Sequence, residues 1–338
     1  MSPEERGVEG RKPAVSVVVI AHNEEGVIGR CLESLLSQRW DEFEVVLIDD
    51  ASTDETLRVA LSTARSDTLG RIRVFPLGKR VGVSRAFNLG VSLSRYPVLA
   101  FTGSDCMPSP GWIAELVRAM GRERTQAATC RVSSSQGTRW ARAEDRKIEA
   151  WTRGRLRRNL PFLIGANMAI TRELFNDLGG FDEGLVSKVD RDLGRRILES
   201  GHGISYAHGA RVDHEHPARL SEYFGRGRWY ARGLCAYNLK HHGAWYRGSD
   251  FWRMTELVWL LLSLATLAIA ATAVTGPQFT LPLLAACGLS LVLAFRRDVA
   301  ILFNVIARKM PLDSFIMDLV FHTGEKAGCL EHLSGRGT

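Results

Sequence analysis

The chain has 338 residues, 45% hydrophobic and 24% charged, which is an ordinary globular composition and allows one large domain with an appendage, or two domains. Its six cysteines are scattered without a C-x-x-C pair, which argues against a zinc ribbon and against a secreted disulfide scaffold. The net charge of +7 indicates an anionic partner, and nucleic acid, anionic lipid and a nucleotide-sugar are all compatible with it.

The N-terminal part of the chain has the pattern of an α/β protein. Residues 1–13 are polar and charged, which predicts a flexible arm that lacks the apolar core of a secretory signal. After them, β-branched apolar runs alternate with segments of helical periodicity. We predict strands at 14–21, 44–48, 71–75 and 98–101, and helices at 27–36, 56–64 and 83–93. Such alternation with short loops is typical of a doubly wound, mostly parallel sheet.

A strongly basic segment, residues 139–158, follows and carries Trp140 and Trp151 among its arginines. The segment predicts an amphipathic helix that docks on anionic lipid, with a nucleic-acid contact or a solvated charged face as the alternatives. Further along the chain, we predict a strand at 163–170, a loop at 175–183, a helix at 190–200 and a short strand at 203–212.

Two uncharged apolar runs, residues 257–274 and 279–295, are joined by a Gly-Pro turn. Together they predict a transmembrane hairpin, with two buried helices of a soluble domain as the alternative. Basic residues flank the outer ends and the turn is uncharged, so the positive-inside rule places both ends in the cytoplasm. We expect a multi-pass protein of the cell inner membrane or plasma membrane, with residues 236–256 as an interfacial linker and 296–338 as a cytosolic amphipathic tail.

The predicted strand 98–101 ends in a Gly/Ser/Pro-rich loop that contains a lone carboxylate, Asp105. A carboxylate at the exit of a buried strand is where open α/β sheets place ligand chemistry, and it can hold a divalent cation that binds a diphosphate. Other motifs accompany it: VSVVVIAHNEE (15–25), CLESLLSQ (31–38), VVLIDDASTDET (45–56), SRAFNLGV (84–91), GANMAITRELFNDLGGFDE (165–183), VDRDLGRRI (189–197) and ARVDHEH (210–216). In order and spacing, these segments closely resemble the family 2 glycosyltransferases of GT-A fold.

The resemblance implies a GT-A domain over residues 14–235, with a nucleotide-sugar half (14–112) and an acceptor half (113–235). It assigns Asp50, at the end of the second strand, to the nucleotide base, since a carboxylate can accept a hydrogen bond from the imide N–H of a pyrimidine. A turn or helix-cap role is the alternative for Asp50. The other residues expected to bind the nucleotide-sugar are Asp49, Asn23, Glu24, Arg85, Asn88, Ser104 and Asp105.

Asp105 stands at the metal position of the family's Asp-x-Asp motif, whose first Asp is replaced here by Gly103. The site therefore has one carboxylate fewer than the pattern. The resemblance also implies a histidine in the shell of a divalent cation, Mn²⁺ or Mg²⁺, and His214 falls at about that place. His216 is close enough in sequence to leave the choice between the two open, and an ordinary surface histidine is the alternative.

Asp190 resembles the Asp of the Glu-Asp acceptor motif of inverting members, in which it deprotonates the acceptor hydroxyl. A carboxylate there can take the proton as the hydroxyl attacks the anomeric carbon. The Glu of the motif is Val189 here, so the match is partial. The alternative is a first-turn acid stabilised by the helix dipole.

These observations predict a membrane-anchored, inverting, hexosyltransferase-type enzyme of cell-envelope polysaccharide biosynthesis. It would move a sugar from a nucleotide-sugar to a hydroxyl of a lipid-linked glycan acceptor, without a nucleic-acid partner. One alternative is a polyprenyl-phosphate glycosyltransferase, whose lipid phosphate attacks without a base. Another is a degenerate homologue that binds nucleotide or membrane without catalysis, as the replaced acids at Gly103 and Val189 suggest. The oligomeric state is open.

Overall fold

The computed structural model describes residues 12–134, 136–153, 163–165, 167–217, 219–242, 316–317, 320–323 and 325. The chain divides into two compact units, with the boundary between His216 and Pro217. The predicted domain boundary at residue 235 stays a prediction.

The first unit is an α/β fold. Its strands are β1 (Val15–Ala21), β2 (Phe43–Asp49), β3 (Ile72–Pro76), β4 (Val98–Gly103), β5 (Cys106–Pro108), β6 (Ala127–Ser133), β7 (Asn167–Thr171) and β8 (Ile204–His214). Its helices are α1 (Ile28–Leu36), α2 (Thr56–Ser66), α3 (Val83–Leu93), α4 (Trp112–Glu123), α5 (Arg139–Arg153), α6 (Arg172–Asp177) and α7 (Val189–Glu199). The second unit contains α8 (Leu220–His242).

The eight strands form one sheet in the order β3-β2-β1-β4-β7-β6-β8-β5. β3, β2, β1 and β4 are mutually parallel, as predicted, and β1 and β2 are buried along almost their whole length because their valines and isoleucines face helices on both sides. β7 runs antiparallel to both of its neighbours, and β5 runs antiparallel to β8. The sheet is therefore mixed, and the prediction of a mostly parallel sheet holds for its first half.

Three elements differ from the predictions. The strand predicted at 163–170 begins only at Asn167. Part of the loop predicted at 175–183 is helix α6, because the Thr171 hydroxyl accepts a hydrogen bond from the Leu174 N–H and caps it. The helix ends at Asp177 and is followed by Gly179 and Gly180, both at positive φ. The short strand predicted at 203–212 extends to His214 as β8.

β8 contains an irregularity that divides it into two parts. Cys130 of β6 pairs with Ala207, whereas the next residue, Arg131, pairs with Arg211. Residues 208–210 therefore lie outside the ladder, as in a β-bulge. Ala207, Ala210 and Val212 of β8 all belong to the core, and the irregularity shifts the alternation of the strand so that Ala207 and Val212, five residues apart, face the same side.

In the part of the chain that the structure describes, no helix combines the length and the apolar character needed to cross a membrane. The predicted hairpin, residues 257–295, lies outside the described residues, as do residues 1–11 of the predicted arm (1–13) and most of the predicted tail (296–338). The predicted basic helix is α5, which begins at Arg139 and is described as far as Arg153.

Candidate functional site

The ends of three parallel strands meet at one edge of the sheet. Asp49 at the end of β2 is in register with Ala21, and Gly103 at the end of β4 is in register with Ile20. The loops that follow β1, β2 and β4 therefore leave the sheet side by side. The end of β8 reaches the same place, because His214 pairs with Cys106 of β5.

Asp105 and His214 form the centre of this edge. The Nε2 atom of His214 lies 3.2 Å from the Oδ2 atom of Asp105, and the buried Cys106 thiol donates to Oδ1 at 3.3 Å. Burial and the neighbouring Asp105 carboxylate raise the pKa of Cys106 well above its usual range, so the thiol stays protonated. Of the two histidines left open by the sequence, His214 is the one beside Asp105.

Gly103 explains how Asp105 adopts this position. A Cβ atom at residue 103 would lie 2.5 Å from the Oδ1 atom of Asp105 and 3.2 Å from the Cys106 sulfur. The Asp105 carboxylate therefore lies over the Gly103 backbone, in the space that any side chain at 103 would need.

Further carboxylates surround Asp105. Burial, and then the charges of Asp105, Asp54 and Glu215, raise the pKa of Glu24 to about 7. Glu215 is paired with Arg30 of α1, and its backbone N–H donates to the Asp105 carbonyl at 3.1 Å. Such a concentration of negative charge favours a cation at this edge.

Asp50 is buried and binds the loop before α3. Its carboxylate accepts hydrogen bonds from the backbone N–H groups of Val81 at 2.7 Å and Gly82 at 3.0 Å. The neighbouring Asp49 is also buried and accepts a hydrogen bond from the Ser52 hydroxyl. Asp50 therefore holds the loop that flanks the predicted base site, a contact that the sequence did not reveal.

Asn23 and Glu24 connect the β1 loop to the β2 loop. Asn23 adopts a left-handed conformation with φ of 58°, which asparagine tolerates better than most residues, and its Oδ1 atom accepts from the Thr53 N–H at 2.8 Å. The Glu24 N–H donates to the Thr56 hydroxyl at 2.6 Å. Ser104 is buried between Gly103 and Asp105. These contacts give the predicted donor loops a fixed shape.

Arg85 and Asn88, both on α3, contact a loop on the acceptor half. The Asn88 amide donates to the Phe181 carbonyl at 2.9 Å and accepts from the Phe181 N–H at 2.9 Å. Arg85 is paired with Glu183 at 3.0 Å. α3 therefore links the loop held by Asp50 to the loop of residues 181–183.

Asp190 lies in the first turn of α7, and its Oδ2 atom accepts a hydrogen bond from the Gly165 N–H at 2.9 Å. Gly165 comes two residues before β7, whose Asn167 pairs with Thr102 near the end of β4. Gly165 is therefore at the edge of the sheet where β4 leads into the Asp105 loop. The buried Val189 next to Asp190 packs into the fold where the family motif has Glu.

Sequence reasoning missed Cys106 and Asp145 and left His216 undecided. His216 is buried behind His214, with its Nε2 atom 3.4 Å from the Oδ1 atom of Asp145 in α5. Cys106 directly follows Asp105, which is a signal that the sequence offered. Asp145 carried no local signal, because it is an acid within a basic helix far from the other site residues in sequence.

The donor atoms at this edge fit a divalent cation. The ligand atoms of Asp105, Cys106 and His214 all lie within 4.8 Å of one another. Two adjacent ligands of one octahedral ion at about 2.1 Å are about 3 Å apart, which matches the 3.2 Å between Asp105 and His214. Carboxylate oxygens suit Mg²⁺ and Mn²⁺ alike, so the ligand set does not select one of the two ions.

Several curated proteins are similar in sequence. Glycosyltransferase AglE of Haloferax volcanii is 26% identical over 216 residues, which are 61% of this chain and 68% of AglE. Putative glycosyltransferase EpsH of Bacillus subtilis is 32% identical over 111 residues, 33% of this chain and 31% of EpsH. The chain thus spans about two thirds of the first relative and less than a third of the second.

Two solved structures share the fold. Mannosyltransferase PcManGT from Pyrobaculum calidifontis, in complex with GDP-Man and Mn²⁺, has a TM-score of 0.65 and 19% identity, covering 96% of this chain and 88% of that one. GalNAc-T7 with UDP, GalNAc and Mn²⁺ has a TM-score of 0.52 and 21% identity, covering 67% and 48%. At such identities the likeness concerns the fold alone.

Two family models match the chain itself. Glycosyl transferase family 2 matches residues 16–179, and Glycosyl transferase family group 2 matches residues 103–297, which is more than half of the chain. The chain therefore belongs to the family 2 glycosyltransferases.

Proposed function

We propose that this protein is a cation-dependent inverting glycosyltransferase that moves a sugar from a nucleotide-sugar to a hydroxyl of a glycan acceptor. The observation that carries the proposal is the convergence of Asp50, Asp105 and His214 at one edge of the sheet. PcManGT and GalNAc-T7, which share the fold, were solved with a sugar nucleotide or nucleotide and with Mn²⁺, which supports the same ligand classes here.

The donor would lie across the ends of β1, β2 and β4. Asp50 would face the base, because each carboxylate oxygen has two lone pairs and its bonds to Val81 and Gly82 leave capacity for a further N–H. Asp105 and His214 would hold the cation. When bound, a divalent cation supplies positive charge that neutralises the departing nucleoside diphosphate.

Asp190 would serve as the general base. Its Oδ2 atom is oriented by the Gly165 N–H, so we assign Oδ1 to the acceptor hydroxyl. The carboxylate takes the hydroxyl proton while the acceptor oxygen forms a bond to the anomeric carbon. The bond between that carbon and the diphosphate oxygen breaks, and the nucleoside diphosphate leaves with the electron pair. A single displacement of this kind inverts the anomeric configuration.

We further propose that the acceptor is lipid-linked and that residues 257–295 anchor the enzyme in the membrane. The support is the sequence pattern alone, two uncharged runs with basic flanks. Extraction of expressed full-length protein with alkaline carbonate tests this proposal. Retention in the membrane pellet is expected, and release into the supernatant by carbonate alone would contradict the anchor.

The donor site is tested by isothermal titration of full-length protein with UDP, GDP and TDP, with and without Mn²⁺. We expect one nucleotide to bind only with the cation, and Asp105→Ala to abolish this binding. Asp41→Asn, which removes an exposed ion pair with Lys12, is the control and should bind like the wild type. Equal binding by Asp105→Ala, or no nucleotide binding under any condition, would refute the proposal.

The role of Asp190 separates the proposed enzyme from the polyprenyl-phosphate alternative. Asp190→Asn keeps an oxygen for the Gly165 N–H but cannot take a proton, so we expect transfer to a glycan hydroxyl to fall by a factor of about 100 to 10,000. Nucleotide binding should be unchanged. A phosphate nucleophile needs no base, so near-normal transfer to a polyprenyl phosphate by Asp190→Asn would favour that alternative.

A further inference from the structure

Four side chains form a continuous line from the proposed cation site into the acceptor half. The Oδ2 atom of Asp105 lies 3.2 Å from Nε2 of His214. The Nδ1 atom of His214 lies 3.1 Å from Nδ1 of His216, and Nε2 of His216 lies 3.4 Å from Oδ1 of Asp145. α5 is thereby connected to the end of β4 through two imidazole rings.

The contact between the two Nδ1 atoms determines where the protons are. Only one of the two nitrogens carries the hydrogen, because two N–H groups or two lone pairs would repel at 3.1 Å. If His214 offers a lone pair at Nε2, its Nδ1 carries the hydrogen and donates it to His216. The hydrogen of His216 is then on Nε2, which faces the Asp145 carboxylate. The assignment leaves the lone pair of His214 Nε2 facing the Asp105 carboxylate 3.2 Å away, and a cation bound by both groups would remove that repulsion. At the other end, Asp145 lies 3.4 Å from Nε2 of His216, which is an ion-pair contact and not a hydrogen bond.

The far end of this line, at His216 and Asp145, is fixed by burial and by hydrogen bonds. Both histidines are buried, with relative exposures of 6% and 5%, so bulk water has little access to replace either partner. The His216 N–H donates to the Gln136 side-chain oxygen at 2.9 Å. Asp145 accepts from the Ser134 N–H at 2.9 Å. The loop before α5 therefore positions both His216 and Asp145.

We propose that His216 and Asp145 are positioning residues that fix the tautomer and ring orientation of His214, so that its Nε2 atom presents a lone pair to the cation. Partners of this kind, behind a metal-binding histidine, commonly account for a factor of 10 to 100 in metal affinity. The inference rests on the proposed function as far as the cation is concerned.

The first experiment reads the tautomer in the presence of the diamagnetic cation Mg²⁺, because without a cation the Asp105 carboxylate would favour a hydrogen on Nε2 of His214. Full-length protein labelled with ¹⁵N-histidine is examined by two-bond ¹H–¹⁵N correlation NMR, with the His216 ring assigned by its loss in His216→Gln. We expect Nε2 of His216 to carry the hydrogen and Nδ1 to have the shift of an acceptor. The opposite tautomer in the presence of Mg²⁺ would overturn the proposal.

The second experiment measures Mn²⁺ affinity by electron paramagnetic resonance. His216→Phe keeps the shape but has no acceptor, and we expect affinity about 10 to 100 times weaker. His216→Asn places a carbonyl oxygen near the position of Nδ1 and should recover much of the loss. His202→Phe, at a histidine outside the line, is the matched control and should bind like the wild type.

The outcomes separate the two proposals. Equal Mn²⁺ affinity in the wild type and Asp105→Ala would refute the cation site itself. Loss of affinity in Asp105→Ala together with wild-type affinity in His216→Phe would overturn only the positioning role. Asp145→Ala gives an independent reading if His216→Phe does not fold, because Asp145 lies on a helix and is partly exposed. Its affinity should fall about tenfold, and an unchanged affinity would overturn the role of Asp145.

Discussion

Gly103→Ala is expected to weaken cation binding by moving Asp105. The added Cβ would lie 2.5 Å from the Oδ1 atom of Asp105, about 0.9 Å closer than an ordinary contact of 3.4 Å. The carboxylate must therefore swing away, and its 3.2 Å approach to His214 is lost. A displacement of this size at a binding group typically costs up to a hundredfold, so we expect Mn²⁺ affinity to fall by a factor of about 10 to 100.

The assay is Mn²⁺ titration of full-length wild type and variants by electron paramagnetic resonance, with thermal melting to confirm folding. Gly121→Ala is the matched control, because a Cβ at that exposed helical position meets nothing within 4 Å. It should bind Mn²⁺ like the wild type. Wild-type affinity in Gly103→Ala would show that Asp105 does not need the space over Gly103, and would refute the reasoning.

Three further predictions concern stability, each measured by urea denaturation. Burial first, and nearby carboxylates second, raise the pKa of Glu24 to about 7. Its protonated form therefore stabilises the cation-free protein below the ordinary pKa of 4.5, and this contribution is lost as pH rises through 7. Glu24→Gln should remove this dependence of the free energy of unfolding on pH, and parallel curves for the variant and the wild type would contradict it. Burial would raise the pKa of Glu44, but hydrogen bonds such as that from the Arg95 N–H lower it overall. The contribution of Glu44 to stability is therefore present above the ordinary pKa of 4.5 and is lost at lower pH. Glu44→Gln should flatten the fall of the free energy of unfolding at acid pH, and an unchanged fall would refute this. Asp192→Ala leaves Arg196 without a fully buried carboxylate 2.7 Å away and should cost about 3–5 kcal/mol, whereas a loss under about 1 kcal/mol would count against the pair.

The parallel half of the fold was predictable because its signals are local. β1 and β2 are mostly apolar and rich in valine and isoleucine, as expected of strands that are buried on both faces. Each ends at a polar loop, so the positions of Asp49 and Asp50 follow from the strand pattern. The antiparallel half gave weaker signals. β5 has three residues, and β7 is antiparallel through its pairing with β4 and β6, which no local pattern encodes.

The candidate site was predictable at its strand ends and not in its long-range contacts. The resemblance identified Asp105 and a nearby histidine, but the choice of His214 depends on its pairing with Cys106. From the sequence, Gly103 indicated only that the motif had lost an acid. The structure shows that the Asp105 carboxylate occupies the space above Gly103, which no sequence pattern encodes. Asp145 joins the site through tertiary packing of α5, for which its own sequence context gives no hint.

The irregularity at residues 208–210 limits where β8 can change in length. Ala210 is buried in the core, and a Cβ at Gly209 would lie 2.5 Å from the Glu115 carboxylate, whereas His208 is exposed and outside the ladder with β6. An added residue should therefore be tolerated best next to His208. Between Arg211 and His214 every residue is paired, and removing one would bring a neighbour of His214 opposite Cys106. The length of this last part of β8 thus determines which side chain stands beside Asp105.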